Sequence, residues 1–120
     1  MCKKVCVIED NSPNRKLFAM LLKKAEYEVF DFENAALSLD WLKDNSVDIV
    51  LMDILLPDMN GSELLNYVKN LPKQQNAKII AITGFSSISD KQKLIAQGFD
   101  GYLSKPINTT TFVKDIEAFL

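Results

Sequence analysis

Five residues, Ile49-Val50-Leu51-Met52-Asp53, constrain this chain more than any others. Four apolar side chains in succession suit a strand covered on both faces, since a strand with one face in water would alternate apolar and polar residues. The run ends in a carboxylate, and the polar stretch Leu56-Pro57-Asp58-Met59-Asn60-Gly61 follows soon after. Asp53 therefore belongs at the carboxyl end of a buried parallel strand, the edge at which open α/β sheets bind ligands.

Two further apolar runs behave alike. Val5-Cys6-Val7-Ile8 leads into Glu9-Asp10-Asn11, and Lys78-Ile79-Ile80-Ala81-Ile82 leads into Thr83-Gly84. A shorter run, Gly101-Tyr102-Leu103, leads into Ser104-Lys105-Pro106, while Glu28 to Phe32 alternates polar and apolar residues as a strand nearer the sheet edge does. Helical signals separate these runs. Ser12-Pro13 reads as an N-cap with proline at the first helical position, followed by Phe18, Leu21, Leu22 and Ala25 on one stripe. Asn34 caps a second helix with Ala35, Leu39 and Leu42 inward, ending near Asn45-Ser46. Asn60 and Glu63 have the spacing of a capping box before Leu64, Val68 and Leu71, and Pro72 stops that helix. Ser87 and Asp90 open a fourth helix with a thin stripe of Leu94 and Ile95, closed by Gly98. The last begins at Asn108 or Thr109, with Phe112, Val113, Ile116 and Phe119 inward.

Strand and helix alternate five times. With right-handed crossovers this predicts a doubly wound α/β fold, five parallel strands with helices on both faces. Residues 1–120 are expected to form one domain, with 48% hydrophobic residues to fill a core. All strand ends then share one edge, which collects Glu9, Asp10, Asp53, Thr83 and Lys105. Each alone has an ordinary reading, as a solvated loop acid, a turn cap or a surface charge. Four strands delivering compatible groups to one edge is a stronger signal.

The chemistry follows from the residue types. Clustered carboxylates repel unless protons or a cation relieve them. The chain has no histidine, which removes most catalytic triads, most transition-metal sites and any histidine phosphotransfer within the chain. The cation expected is therefore hard and oxygen-liganded, Mg²⁺ first, with Mn²⁺ or Ca²⁺ behind. Mg²⁺ takes one or two carboxylates and keeps waters, leaving a carboxylate free to attack a phosphoryl group. Asp53 suits the nucleophile, Asp10 with Glu9 the metal, and Lys105 with Thr83 the phosphoryl oxygens.

Other classes fit less well. Fourteen basic and sixteen acidic residues give a net charge of −2, against the basic face that non-specific nucleic-acid binding needs. No apolar run approaches a membrane span or a signal peptide, and a cytoplasmic location is expected. Cys2 and Cys6 on one strand would lie about 13 Å apart, too far for a disulfide. A haloacid-dehalogenase-type phosphatase wants a second Asp where Leu55 stands. A flavin-binding module wants a phosphate-cradling loop where Glu9-Asp10-Asn11 would repel phosphate.

Glu9-Asp10-Asn11, Asp53 followed by Pro57 and Gly61, Thr83-Gly84 and Lys105-Pro106 together resemble the receiver domains of two-component response regulators, of the single-domain chemotaxis-regulator type. The resemblance runs from the first strand to the last helix. It implies a (βα)5 flavodoxin-like fold with strand order 2-1-3-4-5, an order that general accounts of doubly wound sheets already give for this family. It implies a phosphoacceptor signalling protein rather than an enzyme, with Asp53 taking phosphate from a histidine kinase or histidine phosphotransfer protein. Mg²⁺ would be held by Asp10, Asp53 and the backbone carbonyl of Leu55, with Glu9 acting through water. The Lys105-Pro106 bond would be cis, aiming the lysine inward. Thr83 would move toward the phosphoryl group and Tyr102, at the switch-aromatic position, would follow. Leu55 and Phe85 flank the line of water attack, and their apolar side chains imply a long-lived phosphoryl group.

No effector domain is expected, so output would pass through the surface of the fourth helix, fifth strand and fifth helix, where Phe85, Ile88 and Tyr102 lie. Two alternatives stand beside a free-standing regulator. One is a receiver excised from a hybrid histidine kinase, with which Glu9-Asp10-Asn11 plus Asn14 also agrees, although Met1 just before the first strand favours a free-standing protein. The other is a phosphate-independent pseudo-receiver, which divalent-cation binding would separate from a working one.

Overall fold

The structure, a computed structural model, describes residues 3–84 and 88–120, with backbone alone for residues 88–90. Five strands, β1 (Lys4–Ile8), β2 (Glu28–Phe32), β3 (Ile49–Asp53), β4 (Lys78–Thr83) and β5 (Gly101–Ser104), alternate with five helices. The helices are α1 (Ser12–Lys24), α2 (Ala35–Leu42), α3 (Gly61–Lys69), α4 (Ile88–Gln97) and α5 (Phe112–Glu117), and a 3-10 turn spans Pro72–Gln74. All strand pairings are parallel in the order β2-β1-β3-β4-β5, the doubly wound order expected. None of the described helices is long and apolar enough to cross a membrane.

The continuous apolar runs are resolved by the pleat into two cores, because successive side chains point to opposite faces. Val5, Val7, Ile49, Leu51, Ile80, Ile82 and Leu103 meet α1 and α5 through Phe18, Leu22, Phe112 and Ile116. Phe18 and Phe112 stack at 5.3 Å. Cys6, Ile8, Val50, Met52, Ile79 and Ala81 face the other way, onto α2, α3 and α4. β2 lies at the sheet edge, which explains its half-polar pattern.

Register sets the level of each strand end. Ile8 pairs with Met52, Asp53 with Ile82, and Thr83 with Ser104. Glu9 and Asp53 consequently emerge level with each other, with Thr83 one residue and Lys105 two residues further along the sheet axis.

Several boundaries differ from expectation. The N-cap of α1 is Asn11 rather than Ser12, its side chain accepting from the Asn14 N–H, and Pro13 still sits in the first turn. Ala25 lies at the helix C-cap and is exposed, not on the inward stripe. α2 ends at Leu42, short of Asn45-Ser46. Ser38 is buried where Leu39 is only half-buried, because the Ser38 hydroxyl donates to the Ala35 carbonyl at 2.7 Å and needs no water. Leu71 falls beyond the end of α3, which closes at Lys69. Asn60 caps α3 as expected, but the Glu63 carboxylate returns to the Asn60 side-chain amide rather than to its backbone. α5 starts at Phe112, three residues or more after Asn108 and Thr109, because Asn108 instead builds a turn accepting from the Thr110 N–H. Ile95 is 48% exposed, leaving Leu94 the one buried side chain among those described in α4. Cys2, the proposed cap Ser87 and the Asp90 side chain lie outside the described residues. Cys6 is a free, buried thiol.

Candidate phosphoacceptor site

The acidic edge begins with burial. Glu9 has no exposed surface and Asp53 retains only 5%, whereas Asp10 faces solvent. Carboxylate oxygens of Glu9, Asp10 and Asp53 lie within 4.8 Å of one another. Lys105, brought across from the end of β5, places its Nζ 2.9 Å from Glu9 Oε1 and 2.8 Å from Asp53 Oδ2. Its backbone N–H donates to the Thr83 carbonyl at 2.8 Å, which ties the β5 exit to the end of β4. The Lys105–Pro106 peptide is cis, as expected.

Asp53 is held at both oxygens, with Oδ1 accepting from the Leu55 N–H at 3.0 Å. The loop behind it is tight. The Gly61 N–H donates to the Ile54 carbonyl at 2.8 Å, and a Cβ at Gly61 would overlap the Ile54 side chain and lie 2.9 Å from its Cα. Glycine is required there by close approach. Asp58 fixes the far side of the same loop, accepting from the Ala35 and Ala36 N–H groups at the start of α2, each at 3.0 Å.

Charge is unevenly shared. Burial above all, then a hydrogen bond with Asp53, pushes the Glu9 carboxyl up to about 7 despite the opposing lysine. Burial also works against the Asp53 charge. Hydrogen bonds with Glu9, Lys105 and the Leu55 N–H outweigh it and hold Asp53 below the usual carboxylate range. Burial opposes the Lys105 charge too, but the two carboxylates hold its ammonium above the ordinary value. One lysine thus serves two carboxylates, and the third, Asp10, is an added negative charge. As a carboxylate, Glu9 leaves Oε2 buried with no hydrogen-bond partner among the described residues. A hard divalent cation fits this donor set, since it supplies the missing positive charge and takes only oxygen ligands.

Of the other expected residues, Thr83 is buried at the end of β4, on the same edge. The Leu55 side chain is 66% exposed beside Asp53, and Phe85 lies outside the described residues. Tyr102 is not part of the acidic cluster. It is half-buried, with the Phe119 ring 6.0 Å from its own and Lys91 Nζ of α4 5.4 Å from its centroid. Asn14 and Arg15, by contrast, were not expected at the site. Asn14 Nδ2 donates to Glu9 Oε1 at 3.2 Å, and Arg15 Nη1 donates to the Glu9 carbonyl at 2.9 Å. In the sequence Asn14 stands out only as part of the Glu9-Asp10-Asn11 pattern, with no role at the site, and the signal for Arg15 is place alone, in the first turn of a helix that directly follows an acidic strand end.

The family model of the response regulator receiver domain matches residues 5–117. The chain belongs to that family. This receiver is 33% identical over 120 residues to the polar-differentiation response regulator DivK of Brucella anthropi, covering 100% of this chain and 98% of that one. Its fold is similar to that of the chemotaxis response regulator CheY4 of Vibrio cholerae, at a TM-score of 0.94 and 27% identity with both chains fully covered. It is also similar in fold to the receiver domain of the sensor histidine kinase PA1611 from Pseudomonas aeruginosa PAO1, solved with a magnesium ion coordinated in the active site cleft. That likeness has a TM-score of 0.86 at 20% identity, over 99% of this chain and 98% of that one. Receivers of this family are phosphoacceptor signalling modules of two-component systems rather than enzymes in the usual sense. The acidic cluster of this receiver is consistent with that role.

Proposed function

We propose that this receiver accepts a phosphoryl group on Asp53 from a phosphohistidine donor, a histidine kinase or a histidine phosphotransfer protein, in a Mg²⁺-dependent reaction. The observation that carries the reading is Lys105 Nζ bridging Asp53 Oδ2 and Glu9 Oε1 within a cluster of three carboxylates. An Asp53 carboxylate oxygen attacks phosphorus, an O–P bond forms, and the N–P bond to the donor imidazole breaks with its electron pair returning to the imidazole, which takes up a proton. Asp10, Asp53 and the Leu55 carbonyl would hold Mg²⁺, with Glu9 acting through water. The cation supplies charge neutralisation at the transferring oxygens. Lys105, already between two carboxylates, can follow the charge onto the phosphoryl oxygens, and the Thr83 hydroxyl is expected to donate to them.

Signalling would then be a change in protein binding. Thr83 and Tyr102 occupy neighbouring strands, with Ala81 rather than Thr83 opposite Tyr102 in the register. Motion of the Thr83 end toward Asp53 would open room for the Tyr102 ring, altering the surface of α4, β5 and α5 that a downstream protein reads. The exposed apolar Leu55 side chain offers no group to orient an attacking water, and the same reading of Phe85 supports a long-lived phosphoryl group.

Intact mass after incubation with acetyl phosphate and Mg²⁺ tests the central step. A gain of about 80 Da, one phosphoryl group, is expected in the wild type, absent in Asp53→Asn and abolished by chelating Mg²⁺. No gain from either acetyl phosphate or a phosphorylated histidine donor would overturn the reading.

A further inference from the structure

We propose that Asn14 is a positioning residue for the cation site, acting through Glu9: by occupying Oε1 it turns Oε2 toward the shared acidic cluster. The inference rests on the reading of this edge as a divalent-cation site and adds a residue to it.

Glu9 is restrained at every polar group but one. Its N–H donates to the Phe32 carbonyl at 3.0 Å, and its carbonyl accepts from Arg15 Nη1 at 2.9 Å. Its Oε1 accepts from both Lys105 Nζ and Asn14 Nδ2, at 2.9 and 3.2 Å. With Glu9 as a carboxylate, Oε2 alone is buried and unpartnered among the described residues. The terminal torsion of a glutamate is broad, so an anchored backbone does not by itself decide which way the carboxylate plane faces. A donor on one oxygen does.

Lys105 is poorly suited to be that donor alone. Its ammonium sits on a flexible stem, is shared with Asp53 Oδ2 at 2.8 Å, and is the group required at the phosphoryl oxygens. Asn14 has no second duty at the site. Its backbone N–H is fixed by the Asn11 cap at 2.9 Å, so its Cα position is set by the start of α1. Its amide must present Nδ2 to the carboxylate, since Oδ1 in that place would oppose two acceptors. Adjacent residues of one helical turn, Asn14 and Arg15, therefore hold the side chain and the backbone of Glu9 together. Such outer partners orient the groups around a metal, and their loss typically weakens metal affinity 10- to 100-fold.

The test is calorimetric titration of the full chain with MgCl₂, without any phosphodonor, for wild type, Asn14→Ala, Asn14→Leu and Asn14→Gln, with thermal unfolding in EDTA alongside. Alanine is favourable in a helix and leucine matches asparagine in size, so at least one donor-free variant keeps the fold. Both are expected to bind Mg²⁺ about tenfold or more weakly, with unfolding in EDTA little changed. Asn14→Gln, which keeps the donor, is expected to recover most of the affinity. The Mg²⁺ concentration giving half-maximal phosphorylation by acetyl phosphate should rise by the same factor as Kd. Donor-free variants that bind within twofold of wild type, or a Gln variant as weak as Ala, would overturn the inference while leaving the cation site intact. A wild type that takes up no Mg²⁺ would instead overturn the cation site itself, and this inference with it.

Discussion

Charged and polar side chains in this receiver are tuned by what stands opposite them, and the same logic extends beyond the acidic edge. The Tyr27 hydroxyl donates to Glu117 Oε2 at 2.9 Å, joining the approach to β2 to the end of α5 across 90 positions of sequence. Burial first, then the hydrogen bond and charge of Glu117, pushes the phenol up to about 12. A raised folded-state value means the fold favours the protonated form. The contribution is present in full below about 10 and is lost as pH rises through about 12. Ultraviolet titration of the tyrosines in the folded chain is therefore expected to show one phenol ionising late, near 12, and Tyr27→Phe should remove that step. A Tyr27→Phe chain that retains the late step would refute the assignment. Glu9 shows the same dependence on its surroundings, because burial beside Asp53, more than anything in its own chemistry, sets its behaviour.

Helix ends carry the next level of control. α1 stops where Ala25 caps it and Glu26 turns to φ +71°, the left-handed region that a side chain rarely adopts. The Tyr27 N–H reaches back to the Leu22 carbonyl and the Glu26 N–H to the Lys23 carbonyl, the pattern in which glycine usually fills this position. Glu26→Gly should then stabilise the chain by about 1 kcal/mol, measured by urea unfolding, since it relieves the backbone more than it loosens the unfolded chain. Gly98 at the end of α4, with φ +114°, already has the residue such a turn prefers. Asp58 shows a different device. Burial works against its charge, but the N–H groups of Ala35, Ala36 and Asp58 itself together outweigh it and hold its carboxyl below the usual range. The loop behind Asp53 is thereby fastened to the N-terminus of α2.

At the scale of the molecule, the central strands and the helices covering them differ in how firmly they are held. Every residue of β3 is buried, as are all but the first residues of β1 and β4. α4 buries only Leu94 among its described side chains, and the Ser62 hydroxyl bonds the Gln97 side chain at 2.8 Å across to α3. A groove of about 500 Å³ is lined by Lys91, Gln92, Ile95 and Ala96 of α4 and by Tyr102 of β5. Native-state hydrogen exchange should accordingly find the amides of β1, β3 and β4 opening only with the whole molecule, and those of α4 opening locally at lower free energy. Equal protection in both places would show that α4 is part of the central cooperative unit. A weakly held helix beside Tyr102 is also what a switch between two packed states requires.

Most of the architecture was legible in the chain itself. Apolar runs, polar-apolar alternation and caps such as Asn34 and Asn60 are local signals, governed by residues a few positions apart, so the five strands and five helices could be placed from sequence. The candidate acids could be named for the same reason, because each directly follows an apolar run. The strand order came from the family resemblance and not from periodicity, which does not encode which strands are neighbours. Boundaries slipped where a competing local bond intervened, as when Asn11 took the cap expected of Ser12 and Asn108 made a turn before α5. Only the tertiary structure decided that Lys105 pairs with Glu9 and Asp53, 96 and 52 positions away, that Asn14 leans on Glu9, and that Asp58 closes the start of α2, 23 positions back. The physical reason is that local sequence determines which segments extend or coil, whereas the partner of a charge depends on strand order and register. Those arise from packing the whole sheet at once.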